Sequence, residues 1–229
     1  MLISVVIPVY NEKTTIMKIV QMVKDTKLVG EIIVVDDCSS DGTREILEKE
    51  SLKEGIRVFY HERNKGKGAA IRTGFEHVTG DIVIIQDADL EYDPKEYKEL
   101  IKPMQDGFAD VVYGSRMLRG KPQRVHMFWH KVGNEILTLL ANFLYNTTLT
   151  DMETGYKVFH KDVIKKLNLK SNGFSIESEI TAKVFKCNKY RVYEVPVSYY
   201  GRTYQEGKKI TWRQGVSAIV ALFWYRIFD

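Results

Sequence analysis

The chain has 229 residues, of which 44% are hydrophobic and 28% charged, and its 34 Lys and Arg against 30 Asp and Glu give a formal net charge of +4. This composition is typical of a soluble globular protein. The charge is too small to indicate a nucleic acid partner, although it suits a phosphorylated ligand or an anionic membrane surface. We expect no signal peptide in residues 1–10 and no membrane span, because the longest apolar run, residues 216–225, falls short of the ~20 residues that a spanning helix needs.

The first half of the chain alternates apolar strand patterns with helix patterns. Strands are predicted at residues 2–9, 31–35, 56–60 and 110–115, with a further apolar run beginning at residue 81. Ile16, Ile19, Val20 and Val23 have the spacing of one helical face. Because such crossovers are right-handed by default, the pattern predicts a mainly parallel sheet with helices on both faces. No internal repeat or low-complexity linker divides the chain, so we expect one α/β domain over residues 1–229.

Acidic side chains follow the apolar run that begins at residue 81. They are Asp87, Asp89, Glu91 and Asp93. In open α/β sheets, ligands bind at the carboxyl ends of the strands, and carboxylate oxygens are the ligands that Mg²⁺ and Mn²⁺ prefer. The stretch therefore predicts either a divalent-cation site or an acidic turn in which residues 93–94 begin the next helix. The polar turn at residues 36–43 follows another strand and belongs to the same sheet edge.

Residues 63–74 combine glycines with basic side chains after the third strand. Such a segment can bring backbone amides and positive charge close to phosphates, or it can simply begin a helix. It matches neither the dinucleotide-binding glycine pattern nor a Walker loop, which argues against nicotinamide chemistry and ATP hydrolysis. Cys38 and Cys187 have no metal-site or redox spacing, and this predicts reduced thiols in a cytoplasmic protein.

The second half of the chain carries two basic loops, at residues 117–124 and 201–209, and we expect both to be mobile. A long helix at residues 126–145 is predicted either to pack in the core or to meet a membrane interface at its start. Residues 172–186 are predicted to form a loop and a helix, and helix capping explains the acids Glu177 and Glu179 at its beginning. A strand follows at residues 191–199. A last helix at residues 212–228 is apolar nearly all round, so it must dock in protein, on a partner or in the membrane interface.

Ordered motifs give the chain its resemblance to a known family. They are residues 8–12 (PVYNE), 35–37 (VDD) with 40–43 (SDGT), 64–68 (NKGKG), 87–89 (DAD) and 114–116 (GSR). In this order they resemble family-2 glycosyltransferases of the GT-A fold. Residues 151–159, 177–183 and 194–209 are similar to the polyprenyl-phosphate sugar synthases within that family. The resemblance implies a nucleotide-sugar and metal-binding half at residues 1–116, an acceptor half with closing loops at 117–210, and an amphipathic C-terminal helix at 211–229.

The resemblance also implies roles for individual residues. Glu91 stands where the mannose-transferring members usually carry glutamine, and a carboxylate there can still bind a cation. Residues around the nucleotide sugar are expected to be Pro8, Tyr10, Glu12, Asp37, Lys67, Asp87 and Ala88. Ligands of Mg²⁺ or Mn²⁺ are expected to be Asp87, Asp89 and Glu91. Residues that meet the acceptor phosphate are expected to be Arg116, Arg124 and Lys131, with His126 and His130 close to them. Residues with a direct part in the transfer are expected to be Asp89, Arg116, Arg202 and Lys208.

The reaction implied is an inverting transfer of a sugar from GDP-mannose, a UDP-hexose or a UDP-N-acetylhexosamine to a polyprenyl (dolichyl) phosphate. A phosphate monoester with a second pKa of ~6 is largely dianionic at neutral pH, so we expect no dedicated catalytic base. The lipid acceptor predicts a cytoplasmic protein that lies on the cytoplasmic face of a membrane or on a small membrane subunit, without a nucleic acid partner. Two alternatives remain, namely a transferase with a saccharide or other soluble acceptor and a non-catalytic sugar-nucleotide-binding subunit.

Overall fold

The computed structural model describes residues 1–125, 127–203, 205–207 and 212–228, and for residues 212 and 213 it describes the backbone only. Seven strands lie within these residues: β1 (Ile3–Val9), β2 (Glu31–Asp36), β3 (Arg57–Tyr60), β4 (Ile82–Ile85), β5 (Val111–Ser115), β6 (Lys157–His160) and β7 (Val192–Pro196). They form one sheet in the order β3, β2, β1, β4, β6, β5, β7.

Most neighbouring strands in this sheet run parallel. The parallel pairs are β1 with β2, β1 with β4, β2 with β3, and β5 with β7, while β6 runs antiparallel between β4 and β5. The prediction of a mainly parallel α/β sheet is therefore confirmed. In the register, Val9 lies beside Asp36 and Val6 beside Ile85, which brings the carboxyl ends of β1, β2 and β4 to one edge.

Helices cover both faces of the sheet. Those in the described part of the chain are α1 (Ile16–Asp25), α2 (Thr43–Glu54), α3 (Lys67–His77), α4 (Tyr97–Gln105), α5 (Phe128–Tyr145), α6 (Lys161–Leu167), α7 (Ile176–Lys186) and α8 (Trp212–Ile227). Successive side chains of a strand point to opposite faces, and β1 shows this directly. Val5 and Ile7 pack with Ile16 of α1 and Leu100 of α4, whereas Val6 packs with Ile71 of α3.

A third apolar cluster joins α5, α7 and α8, apart from the two apolar clusters that cover the faces of the sheet. Leu137 and Ala141 of α5 pack there with Ala218 and Leu222 of α8. The opposite sides of both helices face outward, with large apolar side chains that include Trp129 (78% exposed), Phe143 (83%) and Trp224 (55%). The C-terminal helix thus docks on its own protein along one face and leaves the other face open.

Membrane-spanning helices were not expected from the sequence. Among the described residues, we find no helix with the length and apolar character that a bilayer crossing requires. His126, which the sequence placed at the start of the long helix, lies outside the described residues, and α5 begins at Phe128.

Candidate active site

A cavity of about 390 Å³ opens at the carboxyl edge of the sheet. Its wall is built from the ends of β1, β2, β4 and β5 and from the loop that follows β7. The sequence-predicted residues that line it are Pro8, Tyr10, Glu12, Asp37, Lys67, Asp87, Ala88, Asp89, Glu91, Arg116 and Arg202. Strand ends that are far apart in the sequence therefore meet, as expected for ligand sites of open α/β sheets.

Asp87 is the half-buried end of a row of alternating charges that leads into the protein interior. The Nζ atom of Lys67 is 2.8 Å from Oδ1 of Asp87 and 3.2 Å from Oε1 of Glu177. Lys157, which is fully buried, contacts the other oxygen of Glu177. Burial alone would lower the pKa of Lys67, but the charges of Asp87 and Glu177 outweigh it and raise that pKa above its ordinary value. Lys67 therefore stays protonated and fixes the orientation of Asp87.

The backbone at Gly155 lies close against the Asp87 carboxylate. A Cβ atom placed on Gly155 would lie 2.2 Å from Oδ2 of Asp87, so only glycine fits beside the carboxylate. The hydroxyl of Tyr92 accepts a hydrogen bond from the Gly155 amide at 2.9 Å. Asp87 is thus enclosed by the segment that precedes β6.

Asp89 is a cavity carboxylate that lies close to two other acids, Asp87 and Glu91. Its backbone neighbour Leu90 has a φ of 64°, a conformation that leucine rarely adopts, and such strain is often found at functional sites. Burial, together with the charges of Asp87 and Glu91, raises the pKa of Asp89 to about 7, although Arg202 acts in the opposite direction. A divalent cation would relieve this accumulation of negative charge.

The donor atoms fit such a cation only in part. The described residues hold no group of three or more His, Cys, Asp and Glu side chains placed to bind one metal ion. Asp89 and Asp87 offer carboxylate oxygens, and Mg²⁺ commonly takes one or two carboxylates while its other ligands are water and substrate phosphates. The cavity therefore fits a cation that arrives with a phosphate-bearing ligand.

Glu91 contacts the loop that follows β7. Its Oε2 atom accepts a hydrogen bond from the hydroxyl of Tyr199 at 2.7 Å, and its Oε1 atom accepts one from the backbone amide of Arg202 at 2.6 Å. Its metal-binding role stays a prediction, and both oxygens are engaged by protein donors.

Arg202 reaches across the cavity to the end of β1. Its guanidinium donates to both carboxylate oxygens of Glu12, at 2.8 and 3.2 Å, and lies 3.4 Å from Oδ2 of Asp89. The Nε atom of Arg202 is buried and has no hydrogen-bond partner in the described part of the chain. Lys208, the second predicted residue of this loop, lies outside the described residues.

Asp37 orders the glycine-rich segment before α3. Its carboxylate accepts hydrogen bonds from the amides of Lys65 and Gly66, at 2.8 and 2.7 Å, and lies 2.7 Å from Nδ1 of His61. Gly66 has a φ of 97°, and a Cβ atom there would lie 2.4 Å from the carbonyl oxygen of Asn172. The segment is thus clamped between Asp37 and the loop before α7.

Arg116 is held by Asp151 in a buried bidentate pair. The Nε and Nη2 atoms of Arg116 lie 2.7 and 2.8 Å from the two oxygens of Asp151, which also accepts from Asn134 of α5 at 2.9 Å. Burial by itself raises the pKa of Asp151, but the charge and hydrogen bonds of Arg116 outweigh it and hold that pKa below its ordinary value. Arg116 therefore lines the cavity with a firmly fixed guanidinium. This guanidinium also lies over the ring of Tyr199, with its Cζ atom 5.1 Å from the ring centroid.

Two of the predicted acceptor residues do not line the cavity. Arg124 donates to the Gly201 carbonyl and to Glu206, and Lys131 lies on the exposed side of α5, 3.8 Å from Glu135. Their acceptor-binding roles stay predictions, and the structure places them on the surrounding surface.

Sequence reasoning missed two acids of the cavity, Glu153 and Glu177. Burial, and then the charge of Glu177, raises the pKa of Glu153 to about 7. Helix capping had been a sufficient explanation for Glu177, but its side chain is buried against Lys67 and Lys157. The one available signal was the lysine at position 157 within a strand pattern, because a buried lysine needs a buried acid.

Comparison with known proteins places the chain in a family. Residues 4–167 match glycosyl transferase family 2. The dolichol-phosphate mannosyltransferase of Pyrococcus furiosus is 31% identical over 214 residues, which are 91% of this chain and 59% of that protein. A low-salt glycan biosynthesis hexosyltransferase of Haloferax volcanii is 31% identical over 208 residues, 87% of this chain and 48% of that protein. The chain thus spans about half to three fifths of the length of these relatives.

Solved structures agree on the architecture. Glucosyl-3-phosphoglycerate synthase from Mycobacterium tuberculosis, in complex with Mn²⁺, uridine diphosphate and phosphoglyceric acid, matches 100% of this chain and 79% of its own with a TM-score of 0.76 at 21% identity. At this identity the likeness concerns the fold, which is the GT-A fold expected from the sequence motifs. The chain therefore belongs to glycosyl transferase family 2.

Proposed function

We propose that this glycosyltransferase moves a sugar from a nucleoside diphosphate sugar to a polyprenyl (dolichyl) phosphate, with inversion at the anomeric carbon and with Mg²⁺ or Mn²⁺ as cofactor. The observation that carries the proposal is the meeting of Asp89 and Arg202 in one cavity, 3.4 Å apart. The Asp89 carboxylate, which can bind a metal ion, and the Arg202 guanidinium, which can bind phosphate, face the same space. This pairing suits a ligand whose leaving group is a diphosphate.

In this proposal the acidic residues of the cavity bind the cation, and the basic residues bind the diphosphate or hold the acids in place. A cation bound at Asp89 and Asp87 would neutralise the departing diphosphate. Arg202 supplies a second positive charge from the opposite wall, and its Nε atom, which has no partner among the described residues, offers a further hydrogen-bond donor. Lys67 holds the Asp87 carboxylate in place through its ion pair at 2.8 Å. Asp37 and Glu12, at the ends of β2 and β1, line the same cavity and would face the nucleoside in this proposal.

Support for a phosphate acceptor comes from Arg116. Its guanidinium is fixed by Asp151 and lines the cavity, so it presents positive charge to an anionic acceptor without first having to be ordered. The name of the Pyrococcus relative points to dolichol phosphate as the acceptor class. An acceptor that is already a dianion needs no catalytic base. The cavity would then promote transfer by orienting donor and acceptor and by neutralising negative charge.

Support for contact with a membrane comes from α5 and α8. Their outward faces carry exposed aromatic and aliphatic side chains, among them Trp129, Phe143 and Trp224. Basic residues lie in the same part of the chain, in the loop before α5 and at Lys131 and Arg226. Apolar surface with basic neighbours suits the headgroup region of an anionic bilayer, where a polyprenyl phosphate resides.

One observation favours a second candidate acceptor. Glu153 lines the cavity, and its pKa of about 7 is suited to a group that removes a proton from a hydroxyl. A transferase with a saccharide or other hydroxyl acceptor would need such a base, whereas a phosphate acceptor would not.

The two candidates are separated by offering both acceptors to the purified protein. The protein is incubated with Mn²⁺ and a panel of GDP and UDP sugars, with either a short polyprenyl phosphate or a panel of saccharides, and products are identified by mass. We expect a lipid-phosphate sugar whose anomeric configuration is inverted, and Glu153→Gln should leave most of this activity. Transfer only to hydroxyl acceptors, lost in Glu153→Gln, would replace the first candidate by the second.

A further inference from the structure

Three hydrogen bonds lead from Glu91 to one short segment, residues 199–202, while its own amide donates to Oδ1 of Asp89 at 3.1 Å. The Glu91 carboxylate accepts from the Tyr199 hydroxyl at 2.7 Å and from the Arg202 amide at 2.6 Å, while its backbone carbonyl accepts from the Tyr200 amide at 2.9 Å. Glu91 is 9% exposed, so little water competes for these bonds. Three bonds thus tie the end of the acidic stretch to a loop more than 100 residues later in the sequence.

These bonds are of the strong kind. An ionised carboxylate forms shorter and stronger hydrogen bonds than a neutral acceptor, and a buried one must have its oxygens satisfied. Leu90, immediately before Glu91, holds a φ of 64°. A leucine keeps this conformation only when the surrounding contacts enforce it. Next to Leu90 these contacts are the bond from the Glu91 amide to Asp89 and the bonds between Glu91 and residues 199–202.

The tied segment delivers Arg202 to the cavity. With its amide held by Glu91, its guanidinium spans to Glu12 and approaches Asp89. The backbone anchor and the side-chain contacts are separate, because Glu91 bonds the amide of Arg202 while Glu12 bonds the guanidinium. The guanidinium can therefore exchange Glu12 for another anion while the backbone stays in place.

We propose that Glu91 is a positioning residue, which anchors residues 199–202 so that the guanidinium of Arg202 can pass from Glu12 to the diphosphate of the donor. The inference rests on the proposed function for the identity of that diphosphate. It differs from the role that the sequence suggested, in which Glu91 binds the cation itself. As an anchor Glu91 acts through Arg202, and as a cation ligand it would act through the metal.

Replacement by alanine tests both roles, because alanine can neither bond the loop through its side chain nor bind a cation, whereas a glutamine oxygen can still do both. The carbonyl oxygen of a glutamine can accept from the Arg202 amide, and its amide group can donate to the Tyr199 oxygen, so both bonds to the loop survive with one of them reversed. An alanine loses both. Tyr199→Phe removes only the hydroxyl and leaves the bond to the Arg202 amide.

The first measurement needs neither donor nor acceptor. Hydrogen exchange of residues 199–203 is followed in the ligand-free wild type and in the variants Glu91→Ala, Glu91→Gln, Tyr199→Phe and Asp89→Asn. We expect the amides of Tyr200 and Arg202 to exchange about tenfold faster or more in Glu91→Ala, with a smaller change in Tyr199→Phe and little change in Glu91→Gln or Asp89→Asn. Unchanged exchange in Glu91→Ala would overturn the anchor.

The second measurement is Mn²⁺ binding in the presence of a nucleoside diphosphate, read by electron paramagnetic resonance. We expect Asp89→Asn to lose Mn²⁺ affinity by about tenfold or more, and Glu91→Ala to stay within roughly threefold of the wild type. A loss in Glu91→Ala as large as that in Asp89→Asn would show a cation ligand and contradict the proposal.

The third measurement ties the anchor to the reaction. In Glu91→Ala we expect kcat to fall about as far as in Arg202→Ala, with recovery of most of the activity in Glu91→Gln. Faster loop exchange in Glu91→Ala without any loss of kcat would remove the positioning role. If the wild type transfers no sugar to any acceptor, the proposed function fails, and the exchange measurement still decides whether Glu91 anchors the loop.

Discussion

Arg202 and Glu12 form a bidentate ion pair across the mouth of the cavity, with the guanidinium donating to both carboxylate oxygens at 2.8 and 3.2 Å. The pair joins the end of β1 to the loop after β7, so segments from the two ends of the chain meet in one contact of the cavity wall. Because Asp89 lies 3.4 Å from the same guanidinium, the pair occupies the space in which a diphosphate would be neutralised.

Loss of the Arg202 guanidinium should slow transfer more than it weakens donor binding. We expect Arg202→Ala to lower kcat by about 10²–10³-fold, because a charge that stabilises the leaving diphosphate is lost. Arg202→Lys keeps the charge without the two-pronged geometry and should recover only part of the rate. Steady-state kinetics with varied donor will check this. Arg191→Ala, which breaks an exposed pair with Asp110, is the matched control, and an equal loss there would point to a general effect of arginine removal.

Asp89 should control cation binding while Asp93, in the same acidic stretch, should not. The Asp93 side chain accepts from the Lys95 amide at 3.0 Å and begins the turn before α4, so it serves the local backbone. We expect Asp89→Ala to abolish transfer and to leave the circular dichroism spectrum intact, and Asp93→Asn to keep the cation dependence of the wild type. Full activity of Asp89→Ala with Mn²⁺ would refute the assignment.

The stability of the protein should depend on pH through Glu153. Its folded-state pKa of about 7 lies above its ordinary value of 4.5. The protonated Glu153 carboxyl therefore contributes fully to stability below pH ~4.5, and this contribution is lost as the pH rises to about 7. Over that window the carboxyl ionises in the unfolded chain but keeps its proton in the folded protein. Glu153→Gln cannot ionise, so its stability relative to the wild type should grow over this window by up to roughly 2 kcal/mol, allowing for solvent screening.

Urea unfolding at several pH values measures this difference. Asp162→Asn is the control, since the Asp162 side chain is 85% exposed and its replacement should give a difference that does not vary with pH. A constant difference for Glu153→Gln as well would mean that Glu153 ionises with an ordinary pKa.

The buried pair of Arg116 and Asp151 should contribute far more to stability than an exposed pair. Asp151 is completely buried, and Asp151→Asn would leave the Arg116 charge without its partner. We expect a loss of ~3–5 kcal/mol in the free energy of unfolding, against less than ~1 kcal/mol for Asp106→Asn in the exposed pair with Lys102. Similar losses in the two variants, measured by urea unfolding, would contradict the fixed position of Arg116.

The outward faces of α5 and α8 should bind anionic liposomes. We expect the wild type to float with vesicles that contain anionic lipid, and Trp129→Gln with Phe143→Gln to reduce the bound fraction about tenfold, since each buried aromatic contributes ~1.5–3 kcal/mol. Higher salt should weaken binding through the basic residues. Leu52→Gln, which removes a 92% exposed leucine from α2, is the control for loss of exposed apolar surface. Equal flotation of all variants would count against membrane contact through these faces.

Local patterns were sufficient to predict a mainly parallel sheet and the acids at its edge, whereas the family resemblance supplied most of the other cavity residues. The apolar period of β1 and the abrupt acids after β4 are properties of short segments, and parallel strands necessarily bring their carboxyl ends to one edge. Asp37, Asp87, Asp89 and Arg116 could therefore be placed together before any contact was known. Short α6 was not predicted, because seven residues carry too little periodicity to distinguish a helix.

The sequence by itself determined which residue types stand at the strand ends, and with them the α/β class and the polar character of the site. Only the tertiary structure decided the partners of those residues. Glu91 meets Tyr199 and Arg202, Lys67 meets Glu177, and Arg116 meets Asp151, each across a long stretch of chain. The physical reason is that strand and helix preferences act over a few neighbouring residues, whereas the partner of a buried charge is chosen by the packing that brings distant segments together.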